Sequence, residues 1–93
     1  MIDWTDRPAE ATFDLHGQAV SEAVAAAERF LRAQARARPG GVVLLITGRG
    51  RMGGGAPMRT RVRTLLRTLR ERETIVRDYV LEDSEGSFLV RLR

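Results

Sequence analysis

One acid and the chain's only histidine stand two residues apart in Phe13-Asp14-Leu15-His16-Gly17. Histidine titrates near neutrality, and a carboxylate beside it can orient the ring and stabilise its charged form, so the pair suits general acid–base chemistry. An edge strand with two solvated polar residues would look the same, and an acid-x-His triplet carries little information alone. A second cluster, Thr47-Gly48-Arg49-Gly50-Arg51-Met52-Gly53-Gly54-Gly55, holds five glycines in nine residues. Glycines let the backbone approach a phosphate closely, and arginine adds charge-assisted bonds to it. A flexible loop with no ligand would need the same glycines.

Hydrophobic periodicity supplies the elements that must position these groups. Phe13 and Leu15 alternate with Asp14 and His16, which makes this run a short strand with its apolar pair on one sheet face, ending in a turn at Gly17. Ser21 is a good N-cap for a first helix carrying Val24, Ala27, Phe30 and Leu31, with Arg36 and Arg38 at its end and Pro39-Gly40-Gly41 to stop it. The run Val42-Val43-Leu44-Leu45-Ile46 is apolar on both faces and reads as an inner strand parallel to the first, joined to it by a right-handed crossover. Pro57 then opens a second helix, whose stripe is Met58, Val62, Leu65, Leu66 and Leu69. Beside that stripe lie Arg59, Arg63, Arg67 and Arg70, with Arg61 and Arg72 on its other flank; a solvated helix surface is the alternative reading of these arginines. Strands over Ile75 to Leu81 and Ser87 to Leu92, joined by the turn Glu82 to Gly86, finish the chain.

The expected fold class is therefore α/β, in the form of an α+β two-layer sandwich. Its order is βαβαββ, with a mixed four-stranded sheet and two helices on one face. At 93 residues this is one domain, over residues 12–93, preceded by an extended arm over residues 1–11. Trp4 in that arm either anchors the tail on the domain's apolar edge or touches a partner.

Parallel strands bring His16-Gly17 and Thr47-Gly48 to one sheet edge, where ligands of open α/β sheets bind. The start of the second helix adds free N–H groups and the positive end of a dipole at that edge. Although Gly48-x-Gly50-x-x-Gly53 matches a dinucleotide-binding pattern, it follows the second strand rather than the first, and too little sheet remains for that fold. No Gly-Lys-Ser/Thr ending of a nucleotide P-loop occurs.

The charge balance points the same way. All 16 basic residues are arginine and the net charge is +4, which favours a polyanion partner, although the codon bias of a GC-rich genome yields arginine as well. Cysteine is absent and histidine occurs once, which excludes disulfides and thiolate metal sites and disfavours a zinc site built from protein alone. No apolar run is long enough to span a membrane, and the polar start lacks the pattern of a signal peptide, so a cytoplasmic location and no membrane partner are expected.

The strand motif Phe13-Asp14-Leu15-His16-Gly17, followed by a helix and then by Ile46-Thr47-Gly48-Arg49-Gly50 after an apolar strand, resembles the Smr (small MutS-related) domain. That family carries a Leu-Asp-Leu-His-Gly strand end and a His/Thr-Gly-x-Gly loop. Phe13 replaces the usual leucine, and Thr47 stands where many members have a second histidine. The resemblance spans about residues 12–93 and implies a fold similar to the C-terminal domain of translation initiation factor three. It also implies a nucleic-acid-binding domain with endonuclease activity in several members, on DNA or on RNA, including messenger RNA on ribosomes. Asp14 and His16 match the strand motif, and Gly48 and Gly50 match the loop.

The expected function is then an endonuclease on RNA, less readily nicking DNA. Asp14 and His16 would be catalytic, and Thr47, Gly48, Arg49, Gly50, Arg51, Arg59 and Arg63 would bind nucleic acid. No cofactor is expected for RNA, since attack by the 2′-hydroxyl needs no metal; on DNA a divalent metal is possible, although one nearby carboxylate makes its site hard to build unless substrate phosphates supply ligands. The alternative is a non-catalytic module that binds nucleic acid or a ribosome through the same basic edge.

Overall fold

A computed structural model describes residues 3–48 and 55–93 of the chain. Its elements are β1 (Ala11–Asp14), α1 (Val20–Ala37), β2 (Val42–Ile46), α2 (Gly55–Glu71), β3 (Val76–Leu81) and β4 (Ser87–Leu92). The sheet order is β1-β2-β4-β3, with β1 parallel to β2 and β4 antiparallel to both of its neighbours. This is the mixed four-stranded α+β sheet expected from the sequence.

One sheet face is buried under both helices, because the apolar residues of each strand fall in register. Phe13 lies opposite Leu45, Leu45 opposite Phe88, and Phe88 opposite Leu81. The helices meet this row with Ala23, Ala27 and Leu31 of α1 and the stripe Met58, Val62, Leu65, Leu66 and Leu69 of α2, all buried. Phe13 stacks on Phe30 of α1 with ring centroids 5.0 Å apart, so the phenylalanine at this motif position anchors the first strand to the crossover helix. Alternation sends Asp14, Ile46 and Ser87 to the opposite face in a neighbouring row.

Three local features differ from the sequence expectation. Residues ahead of the domain are not simply extended, since Trp4–Asp6 form a 3₁₀ turn, closed by the Arg7 N–H on the Trp4 carbonyl at 3.1 Å. Helix α1 begins before Ser21, with Ala19 as its N-cap and no side-chain cap bond. The tight turn through Gly17, at φ +80°, brings the chain into helical geometry two residues early, which puts Ser21 inside the first turn. Finally, β1 starts at Ala11 and ends at Asp14, although the Leu15 N–H still bonds the Ile46 carbonyl at 2.7 Å.

Candidate functional site

Because β1 and β2 are parallel, both end on one edge of the sheet, and α1 and α2 both begin there. Leu15, fully buried, pins the chain between the two polar residues of the strand motif. His16 then turns back on Asp14. Its Nδ1 lies 2.6 Å from Asp14 Oδ1, and its backbone N–H donates to the same oxygen at 3.0 Å. An ionised carboxylate only accepts, so Nδ1 is the protonated ring nitrogen in the neutral imidazole, and the Nε2 lone pair is left for another partner. The two hydrogen bonds from His16, the ring bond being the larger influence, hold the Asp14 carboxyl below its ordinary range. Both side chains remain well exposed, at 67% for His16 and 48% for Asp14, so a ligand can reach the imidazole directly.

Gly48 closes the other side of the pair. It has φ +87°, and a Cβ built there would stand 3.4 Å from the Cβ of His16. The strand end that carries it is clamped by Gly86, whose carbonyl accepts the N–H of Thr47 at 2.8 Å and of Gly48 at 3.0 Å. Thr47 is 2% exposed, with its hydroxyl 3.3 Å from that carbonyl. Its side chain thus faces the protein rather than solvent.

The clamp comes from the turn between β3 and β4, a participant that sequence reasoning missed. Only the placement of β4 beside β2 brings Gly86 to Thr47, and no local pattern in Glu82–Gly86 announces that neighbour. The turn is braced by the Ser87 hydroxyl donating to Glu82 and by the Glu85 N–H on the Glu82 carbonyl at 2.8 Å. Gln18 is a second participant without a sequence signal; its amide donates to the Asp14 carbonyl at 3.2 Å and ties the turn after His16 to the strand.

The two helix arginines read as binding residues lie over this second half of the sheet. Arg59 donates to the Glu85 carbonyl at 3.3 Å, which brings the first turns of α2 against the hairpin at the site. One turn further along, the Arg63 guanidinium lies 5.8 Å from the Phe88 ring centroid. Arg49, Gly50 and Arg51 lie outside the described residues. Among the described residues, no three His, Asp or Glu side chains come together as a metal-binding group, and no helix is long and apolar enough to cross a membrane.

The edge therefore joins an oriented imidazole, a close-approaching glycine and two helix N-termini, a combination suited to moving a proton beside a bound anion. Comparisons with curated proteins and with solved structures return no match. The family model of the Smr domain, in contrast, matches residues 13–93, from the strand motif at the site to the last residue, and the chain belongs to the Smr domain family.

Proposed function

We propose that this Smr domain is a cytoplasmic endonuclease that cleaves RNA, and DNA less readily, at the edge carrying His16. The observation that carries the reading is the 2.6 Å bond between Asp14 and His16 Nδ1, which leaves Nε2 as the accessible base on an exposed ring. Membership of the Smr family supports a nucleic-acid-binding module, and the net charge of +4 suits a polyanion.

In the proposed step, His16 Nε2 takes the proton of a ribose 2′-hydroxyl. The 2′-oxygen attacks the adjacent phosphorus, the bond from phosphorus to the 5′-oxygen breaks, and a 2′,3′-cyclic phosphate forms. The leaving 5′-oxygen takes a proton from solvent or from the imidazolium. Asp14 stabilises that imidazolium and fixes the ring's orientation. The uncapped first turn of α1 offers backbone N–H groups to the phosphate, and Arg49 and Arg51, which follow Gly48 in the chain, add charge. Arg59 and Arg63 extend the basic surface along α2. Thr47 contributes through the clamp on Gly86 that sets Gly48 against His16.

Incubation with labelled single-stranded and duplex RNA and DNA, with and without EDTA, tests the reading. Cleavage of RNA in EDTA, leaving a cyclic phosphate end, is expected. Binding of both nucleic acids with cleavage of neither would replace the endonuclease by a non-catalytic binding module, on a ribosome or on free RNA.

A further inference from the structure

Between the starting ends of the two helices lies a shallow depression of about 550 Å³, lined by Val20, Pro57, Thr60 and Arg61. Val20 is the first residue of α1, four positions after His16, while Pro57 to Arg61 occupy the first turns of α2. The depression thus adjoins the edge proposed to hold the scissile phosphate. Arg61 stands on the flank of α2 facing away from Arg59 and Arg63, and sequence reasoning gives it no role in the site.

We propose that this depression receives a nucleobase of the strand cleaved at His16, an inference that rests on the proposed function. The lining suits that occupant in three respects. Val20 methyls and the Pro57 ring present aliphatic surface with no hydrogen-bonding demand, which an aromatic base can cover. Arg61 supplies a planar guanidinium, which stacks on base faces and at the same time attracts the phosphate attached to them. Among the described residues none that lines the depression is acidic, and the volume falls within the range of small-ligand sites. A base seated there fixes its own ribose, and so the 2′-hydroxyl, relative to the imidazole. Among the described residues the lining offers two aliphatic side chains, the Arg61 cation and one hydroxyl, Thr60, so the subsite reads chiefly the face of a base and discriminates weakly among the four bases.

The test compares two fluorescent hexamers with equal numbers of phosphates, 2′-O-methyl hexauridylate and its abasic counterpart, by anisotropy with the wild-type protein. Methylation of the 2′-oxygen blocks cleavage during the measurement. The base-bearing strand should bind about fivefold more tightly, the low end of the range for stacked bases. Val20→Ser and Arg61→Ala should each bring that ratio toward one; the ratio is the readout because Arg61→Ala also removes a charge. Equal wild-type affinities for the two strands would overturn the base subsite and leave the phosphate-binding edge standing. A ratio that survives in both variants would place the base elsewhere and overturn the subsite too. Failure to bind either strand would overturn the proposed function and the subsite with it.

Discussion

Gly48 packs against His16 closely enough that a methyl added to it would stand 3.4 Å from the His16 Cβ. The two residues follow the ends of neighbouring parallel strands, so the backbone at Gly48 lies beside His16. Gly48→Val should therefore strain a backbone at φ +87° directly beside His16, and its γ-methyls should crowd the histidine beyond the ordinary contact that a Cβ alone would make. Gly40 offers a matched control, since it has φ +76° with nothing within 4 Å of its added Cβ. Each valine should cost about 1–2 kcal/mol in urea unfolding through its left-handed backbone. Cleavage should fall by an order of magnitude or more in Gly48→Val alone. Equal activity in the two variants would show that Gly48 does not support the histidine.

Asp14 links the site to pH. Its folded-state pKa is depressed, so the carboxylate stabilises the protein at pH values above its unfolded pKa of about 4, and the contribution is lost as pH falls through the lower folded value. Asp14→Asn should be slightly less stable than wild type near neutrality and equal to it in strong acid. The difference should be small and should shrink in salt, because both partners are solvent-exposed. Urea midpoints measured for both proteins across the acid range check this. A gap that persists unchanged into strong acid would mean that the bond to His16 does not stabilise the carboxylate.

Arg59 and Arg63 should contribute to binding through charge. In the double variant Arg59→Ala, Arg63→Ala, the slope of log affinity against log salt for a nonspecific oligonucleotide should lessen by about one for each phosphate no longer neutralised. The fold should survive, since both lie off the buried stripe, though removing the guanidinium from the Phe88 ring should cost about 0.5–1 kcal/mol. An unchanged salt slope would exclude both residues from the nucleic-acid interface.

Much of this architecture is legible in the residues themselves. The unbroken, largely β-branched apolar run Val42–Ile46, bounded by Gly41 and by Thr47-Gly48, reads as an inner strand, and the spacing of Met58, Val62, Leu65, Leu66 and Leu69 leaves one face for α2 to bury. A helix joining two strands favours a parallel pair, and the parallel pairing of β1 and β2 brings His16 and Gly48 together. Periodicity assigns faces, however, and not neighbours. Nothing in Ser87–Leu92 says that β4 inserts between β2 and β3, and so the Gly86 carbonyl that holds Thr47 and Gly48 has no sequence signal. The start of α1 departs from its sequence pattern for a related reason. Ser21 is the residue type that caps helices, but the turn at Gly17 has already set the chain on its helical path at Ala19. The likeness of Arg59 to a freely solvated surface residue also ends at the hairpin, because its bond to Glu85 joins segments 26 positions apart.

Leu15 separates the folding role of the strand motif from its chemistry. It is fully buried between two exposed polar residues, so Leu15→Ala should destabilise the domain by about 2–5 kcal/mol. That would be a large share of the stability of a domain this size. His16→Ala should instead unfold close to wild type, since its ring is largely solvated. Chemical denaturation of the two variants side by side distinguishes the roles. A His16→Ala protein as unstable as Leu15→Ala would make the histidine a structural residue.

In the proposed reaction His16, oriented by Asp14, moves the proton during strand cleavage, and everything else at the edge serves that transfer. Its most direct test is the single-turnover cleavage rate of a labelled RNA by wild type, His16→Ala and Asp14→Asn, with affinity for the same strand measured in parallel. His16→Ala should lose about 10²–10⁴-fold in rate, and Asp14→Asn should lose less, while the affinity of His16→Ala stays near wild type. A folded His16→Ala protein that cuts the RNA at the wild-type rate would contradict the proposed role of the histidine.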